Sequence, residues 1–224
     1  TVTSETADIS AQITFDDDGP EVAIAAETDA VAALDESGAA GAATIATGDY
    51  DKGNDPDVTG EGYISRAVSG GAVVSLTTEA YGADGEGGKA FALVVNEDDA
   101  DSGLTLTDGS AISLVLLESG VVVGVVGGDG AFAGQAAFAI QIDAATGVVT
   151  VEQYLSLDHP DEANADNDYD SYDETLALAD GSLGVTVTLT DGDNDTVTSE
   201  TADISAQITF DDDGPEVAIA AETD

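Results

Sequence analysis

Apolar and polar residues alternate over many short stretches of this chain, which is the pattern of β-strands that bury one face. Residues 9–15 alternate in this way, and further apolar runs are separated by turns that contain glycine. These runs are residues 22–26, 63–76 with an interruption at Gly70-Gly71, 91–95, 112–117, 121–126, 136–142, 148–154, 176–178 and 185–189. No long segment shows the 3.6-residue apolar period of a helix. The pattern predicts an all-β fold, with an antiparallel sandwich favoured over a barrel.

Two of these predictions concern neighbouring strands. We expect residues 136–142 to pair with residues 148–154 across a turn that contains Gly147. We also expect residues 185–189 to form a hairpin with the strand after Thr196, across the turn Asp-Gly-Asp-Asn-Asp.

The chain contains a long exact repeat. Residues 1–29, TVTSETADISAQITFDDDGPEVAIAAETD, occur again without change as residues 196–224. Even surface-type positions such as Ser4 and Ser199 are identical, which indicates recent copying of a whole unit. The sequence therefore reads as one period of a tandem array with both of its junctions present.

Each copy contains an acidic junction of the form Asp-Asp-Asp-Gly-Pro. Proline cannot donate to a β-ladder and glycine permits a turn, so a strand should end there. We interpret residues 1–15 as the last strand of the preceding unit, 16–20 as an acidic linker, 21–210 as a β-sandwich domain, and 211–224 as the next linker and the start of the following unit. The other assignment, in which residues 1–15 form the first strand of this unit, stays open.

Charge narrows the possible partners. The chain has 47 acidic residues against three lysines and arginines, for a net charge of −44. This excludes nucleic acid as a partner and disfavours an anionic membrane surface. A salt-adapted, well-solvated surface would account for scattered acidic residues, but here aspartate is concentrated in short loops. The hydrophobic content of 42% is high enough for a buried core.

The residue types that the chain lacks disfavour several other classes of protein. The chain has no cysteine, so no disulfide stabilises it, and no methionine, even at position 1, which is typical of a fragment. No stretch is long and apolar enough to predict a membrane span, and no signal peptide opens the chain. His159 is the single histidine and is expected to be exposed in an acidic loop. We therefore expect neither zinc or thiol catalysis nor a glycosidase, and no small-molecule substrate.

The acidic loops predict calcium sites. Oxygen ligands at alternating positions suit a hard cation that accepts six to eight of them, and neighbouring carboxylates repel one another without a counter-charge. We expect several Ca²⁺ ions to bridge each junction to loops of the flanking units, with Asp35 and Glu36 contributed by the following unit. For Asp49 and Asp51, a solvated loop is an equal alternative. The candidate ligands are Asp16, Asp17, Asp18, Asp35, Glu36, Asp49, Asp51, Asp166, Asp168, Asp170, Asp191, Asp193, Asp195, Asp211, Asp212 and Asp213.

Several short motifs occur together in the second half of the period. They are LADGSL at 178–183, DGDNDT at 191–196, FDDDGP at 210–215, and TGVVTV at 146–151 before Tyr154. In this order they resemble the extender repeats of long RTX adhesins, which Gram-negative bacteria export by type I secretion. The resemblance implies an Ig-like sandwich on the bacterial cell surface, outside the cell, whose partners are neighbouring repeats. It also implies calcium ligands at Asp191, Asp193, Asp195 and residues 211–213.

Two functions follow from these patterns. The favoured one is a structural extender that is stiffened by calcium and projects a distal ligand-binding region away from the cell. The alternative is an adhesive domain that binds a surface, sugar or protein itself, for which Thr186, Thr188 and Thr190 offer a short threonine-rich face.

Overall fold

The chain folds into β-strands joined by turns. The computed structural model describes residues 2–36, 39–53, 62–96, 100–159 and 174–212. Within these ranges there is no α-helix, which confirms the all-β prediction. None of these residues forms a helix of the length and hydrophobicity that a transmembrane span requires.

The strands are numbered in chain order. They are β1 Glu21–Ala26, β2 Ala32–Asp35, β3 Gly41–Ala42, β4 Gly62–Tyr63, β5 Ser65–Ala72, β6 Val74–Ala80, β7 Glu86–Val95, β8 Ala100–Thr105, β9 Ala111–Leu116, β10 Val122–Val126, β11 Ala136–Ile142, β12 Val148–Gln153, β13 Thr175–Ala177, β14 Leu183–Asp191, β15 Thr196–Thr198, β16 Ala202–Asp203 and β17 Ile208–Asp211. Two 3₁₀ turns, Ser10–Gln12 and Ser205–Gln207, occur in the described ranges.

One layer is a six-stranded antiparallel sheet. Its order is β5-β12-β11-β10-β9-β8. The predicted pairing of β11 with β12 is confirmed, with Ile140 opposite Val151. The strand was predicted to break at Gly70-Gly71, but β5 continues through both glycines and ends at Ala72. The break comes at the next residue, Val73, whose N–H donates to the Gly147 carbonyl at 3.0 Å.

The opposing strands form smaller sheets. β14 pairs with β7 on one side and with β15 and β16 on the other, which confirms the predicted terminal hairpin. β17 lies between β13 and β2, and its pairing with β2 is parallel. The rings of Phe138 in β11 and Phe210 in β17 meet across the layers with centroids 5.2 Å apart. The sheets thus pack as a sandwich-like, Ig-like arrangement around one continuous apolar core.

A second, smaller core lies on another part of the six-stranded sheet. Ile45, Tyr154 and Val123 are at its centre, and residues 39–53 contribute its cover. The Gly53 N–H donates to the Ala136 carbonyl at 2.9 Å, which fixes the end of this covering segment. Because apolar contacts cover both of its faces, β11 reads as a continuous apolar run instead of an alternating one.

Glu152 holds the covering segment to the sheet. Its carboxylate is fully buried and accepts hydrogen bonds from the Thr44 N–H at 3.0 Å, the Thr44 hydroxyl at 2.6 Å and the Ile45 N–H at 3.0 Å. The Tyr154 hydroxyl donates at 3.1 Å, and the Arg66 guanidinium lies 3.6 Å away. Burial opposes ionisation, but these hydrogen bonds outweigh it and lower the pKa of Glu152.

The two copies of the repeated sequence have different surroundings. In the first copy Ile9, Ile13 and Phe15 are 54%, 57% and 93% exposed. Their counterparts Ile204, Ile208 and Phe210 in the second copy are at most 1% exposed and belong to the main core. In the second copy β15 and β16 pair with β14, and β17 pairs with β2 and β13. Among the described residues 2–19 of the first copy, no strand pairing is formed.

The prediction of a continuous strand over residues 9–15 is wrong. Both copies form a 3₁₀ turn at this point, and only the second continues into a strand, β17. The cause is local, because the carboxylate of Asp8 accepts from the Ser10 N–H at 2.9 Å and that of Asp203 accepts from the Ser205 N–H at 2.9 Å. Such side-chain hydrogen bonds compete with the β-ladder.

We expect Glu152→Gln to destabilise the fold by about 2–4 kcal/mol, since the amide presents a donor to groups that are themselves donors. Urea unfolding followed by circular dichroism measures the effect. The control is Glu118→Gln, which changes an exposed turn residue and should stay within about 0.5 kcal/mol of the wild type. Equal effects of the two substitutions would contradict the anchoring role.

The Glu152 contribution should also depend on pH. Its folded pKa lies below the ordinary value of 4.5, so the stabilisation is complete above that value and is lost as the pH falls through the folded pKa. The difference in unfolding free energy between wild type and Glu152→Gln should therefore shrink between about pH 5 and about pH 2. A difference that stays constant over this range would show that ionisation of Glu152 is not involved.

Candidate functional site

The turn between β14 and β15 presents three aspartates. The Asp195 N–H donates to the Asp191 carboxylate at 2.8 Å, and the Asp191 N–H donates to the Asp195 carbonyl at 3.0 Å. Asn194 takes a positive φ of 80°, which closes the turn. Asp193 and Asp195 are left exposed, whereas Asp191 is only 2% exposed.

The first junction lies against the same region. β1 pairs with β6, and the Ala83 N–H after β6 donates to the Asp18 carboxylate at 2.9 Å. Gly82 has a φ of +68° and faces the Asp18 carbonyl so closely that a side chain there would overlap it. The backbone at Asp84 in turn lies against Gly192, so the junction, this loop and the β14–β15 turn lie together.

We call the carboxylates of Asp17, Asp18, Asp84, Asp193 and Asp195 the N-terminal acidic cluster. Ligand atoms of Asp17, Asp193 and Asp195 all lie within 4.8 Å of one another, and so do those of Asp17, Asp18 and Asp84. Asp17 belongs to both groups, which therefore adjoin each other. Asp191 is buried beside it, and its second carboxylate oxygen has no hydrogen-bond partner in the described part of the chain.

The carboxylates of this cluster repel one another. The approach of the Asp191 carboxylate, with some loss of hydration and the charges of Asp17 and Asp195, raises the pKa of Asp193 to about 6. The charge of Asp191, with smaller contributions from Asp17 and Asp84, raises the pKa of Asp195. Each shift has the sign of like charges held close together.

The chain's own cations are engaged elsewhere. Lys89 pairs with Glu79 at 2.9 Å, Arg66 lies beside Glu152, and Lys52 sits 5.7 Å from the centre of the Tyr154 ring. These are all of the lysines and arginines that the sequence contains. None of these cations pairs with the N-terminal acidic cluster. Hard divalent cations are the ions that such oxygen ligands can bind.

A second group forms where β2 and β17 end. These strands are parallel with Asp35 opposite Asp211, so Glu36 and Asp212 leave the sheet side by side. His159 joins them, and its Nε2 lies 3.8 Å from Glu36 Oε1. We call Glu36, His159 and Asp212 the histidine cluster.

The expectation that His159 is exposed is wrong, because its side chain is only 3% exposed. The chain before it is held in place by the Leu157 N–H, which donates to Glu36 Oε1 at 2.9 Å. Burial lowers the pKa of His159, but the Glu36 carboxylate, the Asp212 charge and the Glu174 carbonyl outweigh it, so the pKa is raised.

The remaining predicted ligands have varied positions. Asp35 and Glu36 were expected to meet the junction that precedes their unit, but they lie beside the second junction. The residue that meets the first junction in their place is Asp84. Asp211 accepts from the Thr175 hydroxyl at 2.5 Å. Asp16, Asp49 and Asp51 are exposed and belong to neither cluster. Asp166, Asp168, Asp170 and Asp213 lie outside the described residues.

Sequence reasoning missed Asp84 as a candidate ligand and His159 as a buried one. Asp84 stands in a glycine-rich turn, and it reaches the cluster through the pairing of β7 with β14, whose partners are far apart in the sequence. The one available signal was that Asp84 precedes the predicted strand at residues 91–95, and that the Asp191–Asp195 turn follows the predicted strand at residues 185–189.

The fold and these clusters define an all-β sandwich domain with carboxylate groups at its junctions. A family model described as domain of unknown function DUF5801 matches residues 31–205. This range is most of the chain, and the chain belongs to that family. Neither the search of curated proteins nor the search of solved structures found a match.

We expect Gly82→Ala to disturb the first junction. The methyl group would displace the Asp18 carbonyl and break the bond from Ala83, in addition to the cost of about 1–2 kcal/mol for a side chain at positive φ. The control is Gly109→Ala, which has a φ of +81° and open space around it. In NMR spectra, the chemical shifts of the Asp17 and Asp18 amides should change in Gly82→Ala and remain those of the wild type in Gly109→Ala. Unchanged shifts in both would contradict the docking of the junction.

Proposed function

We propose that this domain is a structural extender of a long RTX adhesin. It is one of a series of tandem units on the outside of a Gram-negative cell, and calcium at the junctions makes the series stiff. The partners of each unit are its neighbours in the same chain, and the distal end of the adhesin carries the ligand-binding function.

The contrast between the two copies of the repeat supports this proposal most directly. Phe210 is fully buried, whereas the same residue of the first copy, Phe15, is 93% exposed. A soluble chain gains stability by burying such residues, at about 25 cal/mol per Å² of apolar surface. Residues 2–15 are therefore best explained as the closing segment of a preceding unit, in which they would pack as residues 197–210 do here.

The same assignment gives the first junction a mechanical role. If residues 2–15 belong to the preceding unit, residues 16–20 are the whole connection between two sandwiches. The Asp18 carboxylate accepts a hydrogen bond from the Ala83 N–H of the following unit. The Asp17 carboxylate lies within 4.8 Å of those of Asp193 and Asp195 in that unit. A cation among these carboxylates ties the connection to the body of the domain and removes its freedom to bend.

Calcium is the cation that fits best. The N-terminal acidic cluster offers carboxylate oxygens alone, from three separate stretches of chain, and Ca²⁺ accepts many such ligands in a flexible shell. Mg²⁺ requires stricter geometry and keeps more water. Extracellular calcium modules typically have dissociation constants of roughly 10⁻⁴–10⁻³ M, which suits a device that forms after export.

The alternative of an adhesive surface on this domain has less support. Thr186, Thr188 and Thr190 are half-buried in β14, and the Thr188 hydroxyl is bonded to that of Thr198 at 2.8 Å. The Thr188 hydroxyl thus helps to hold β14 to β15. An extender needs no further surface, since its task is length and stiffness.

The proposal is tested by small-angle X-ray scattering of a protein with two consecutive units. With millimolar calcium we expect a longer maximum dimension and a narrower distribution of shapes than with chelator. The same protein with Asp17 and Asp193 of the second unit changed to Asn should remain flexible in calcium. Identical scattering with and without calcium would contradict the proposed stiffening.

Single substitutions should separate the cluster from ordinary surface charge. Asp193→Asn removes one of the crowded carboxylates, so in chelator its Tm should equal or exceed that of the wild type. Its gain in Tm on adding calcium should fall to less than about half of the wild-type gain, because fewer ligands lower the affinity. Asp129→Asn, which removes an equal charge from an exposed turn, serves as the control. If calcium raised the Tm of Asp193→Asn as much as it raises that of the wild type, Asp193 would not be a calcium ligand.

A further inference from the structure

The histidine cluster differs from the N-terminal acidic cluster in chemistry and in burial. Glu36 follows β2, Asp212 follows β17, and His159 follows the bridge between Leu106 and Leu157. The side chains of Glu36 and His159 are 4% and 3% exposed. Three parts of the chain that are far apart in sequence thus bring two carboxylates and an imidazole into one enclosed place.

The orientation of the imidazole is set by the backbone. His159 Nδ1 lies 2.9 Å from the Glu174 carbonyl oxygen, which is an acceptor, so the proton of the neutral ring is on Nδ1. The lone pair of Nε2 then faces the carboxylates. Nε2 is buried without a hydrogen-bond partner among the described residues, and its distance of 3.8 Å from Glu36 Oε1 is too long for a hydrogen bond.

The carboxylates are also held in place. Glu36 Oε1 accepts from the Leu157 N–H at 2.9 Å and from the Gln153 side-chain amide. The Asp212 N–H donates to the Glu174 carbonyl at 3.2 Å, the same carbonyl that accepts from His159. The three donor atoms lie within 4.8 Å of one another, which is close enough for one cation to contact all of them. Such an arrangement is stable with a cation at its centre.

We propose that Glu36, His159 and Asp212 bind a Zn²⁺ ion. Calcium and magnesium prefer oxygen ligands, whereas zinc takes imidazole nitrogen and carboxylate oxygen together, usually in a tetrahedral arrangement. Ligands about 2.0–2.1 Å from a tetrahedral zinc are roughly 3.3 Å apart, so the pair now at 3.8 Å has to close only slightly. The bond from Nδ1 to a carbonyl is the usual outer contact of a zinc-bound histidine.

A zinc ion here would act at the second junction. Asp212 is part of the Asp-Asp-Asp-Gly-Pro sequence through which the chain leaves the domain, and Glu36 lies at the end of the neighbouring parallel strand. The ion would link the ends of β2 and β17 to the segment that carries His159. This site does not depend on calcium at the N-terminal acidic cluster, because the two share no residue.

The test uses the intact chain in excess calcium, with Zn²⁺ as the probe. His159 is the single histidine, so nitrogen-15 NMR of the imidazole reports on this site alone. Without zinc, at a pH above the titration of the ring, we expect a proton on Nδ1. One equivalent of Zn²⁺ should shift the Nε2 resonance to the range of a metal-bound nitrogen and leave the Nδ1 proton in place.

Variants measured by isothermal titration calorimetry complete the test. His159→Asn keeps a donor for the Glu174 carbonyl but lacks Nε2, and it should lose at least about tenfold in zinc affinity, as should Glu36→Gln. Asp158→Asn changes the exposed neighbour and should bind as the wild type does. Zinc binding that leaves the imidazole resonances unchanged, binding of equal strength by His159→Asn, or no binding at all would each overturn the proposal. The NMR measurement on the wild type decides the matter even if a variant fails to fold.

Discussion

The dominant constraint on this protein is negative charge that the chain cannot neutralise by itself. Asp17, Asp193 and Asp195 hold their carboxylates within 4.8 Å of one another, and the three lysines and arginines are paired in other parts of the fold. The neighbouring Asp191 carboxylate, with smaller contributions from the charges of Asp17 and Asp195, raises the pKa of Asp193. Under the proposed function, a cation bound here would couple the folded arrangement of the junction to the ionic composition of the surroundings.

The duplicated sequence separates what is local from what depends on context. Asp8 and Asp203 each accept from a serine two residues later, and both copies form the same 3₁₀ turn. Burial differs completely, because Phe210 has β2 and β13 beside it, whereas Phe15 has no such partners. The turn is thus encoded by a few neighbouring residues, and the strand forms only when a neighbouring sheet completes it.

Most of the strands were predictable from the sequence, because residues 136–142 and 148–154 carry clear apolar patterns with glycine turns between them. The hairpin of β14 and β15 was predictable for the same reason. The pairing of β7 with β14 and the parallel pairing of β17 with β2 were not, since they join residues that are far apart in the chain. Those pairings bring Asp84 to the acidic cluster and Glu36 to His159. Most residues of the two clusters were therefore visible in the sequence as acidic loops, but which of them lie together could be known only from the fold.

The most direct measurement of the central claim is anomalous diffraction from crystals of a two-unit protein grown with abundant calcium. The account predicts calcium peaks between the junction and the β14–β15 turn of the following unit, with Asp17 and Asp193 among the ligands and the junction ordered. Water in place of calcium among these carboxylates, with the two units in unrelated orientations in different crystal forms, would contradict it.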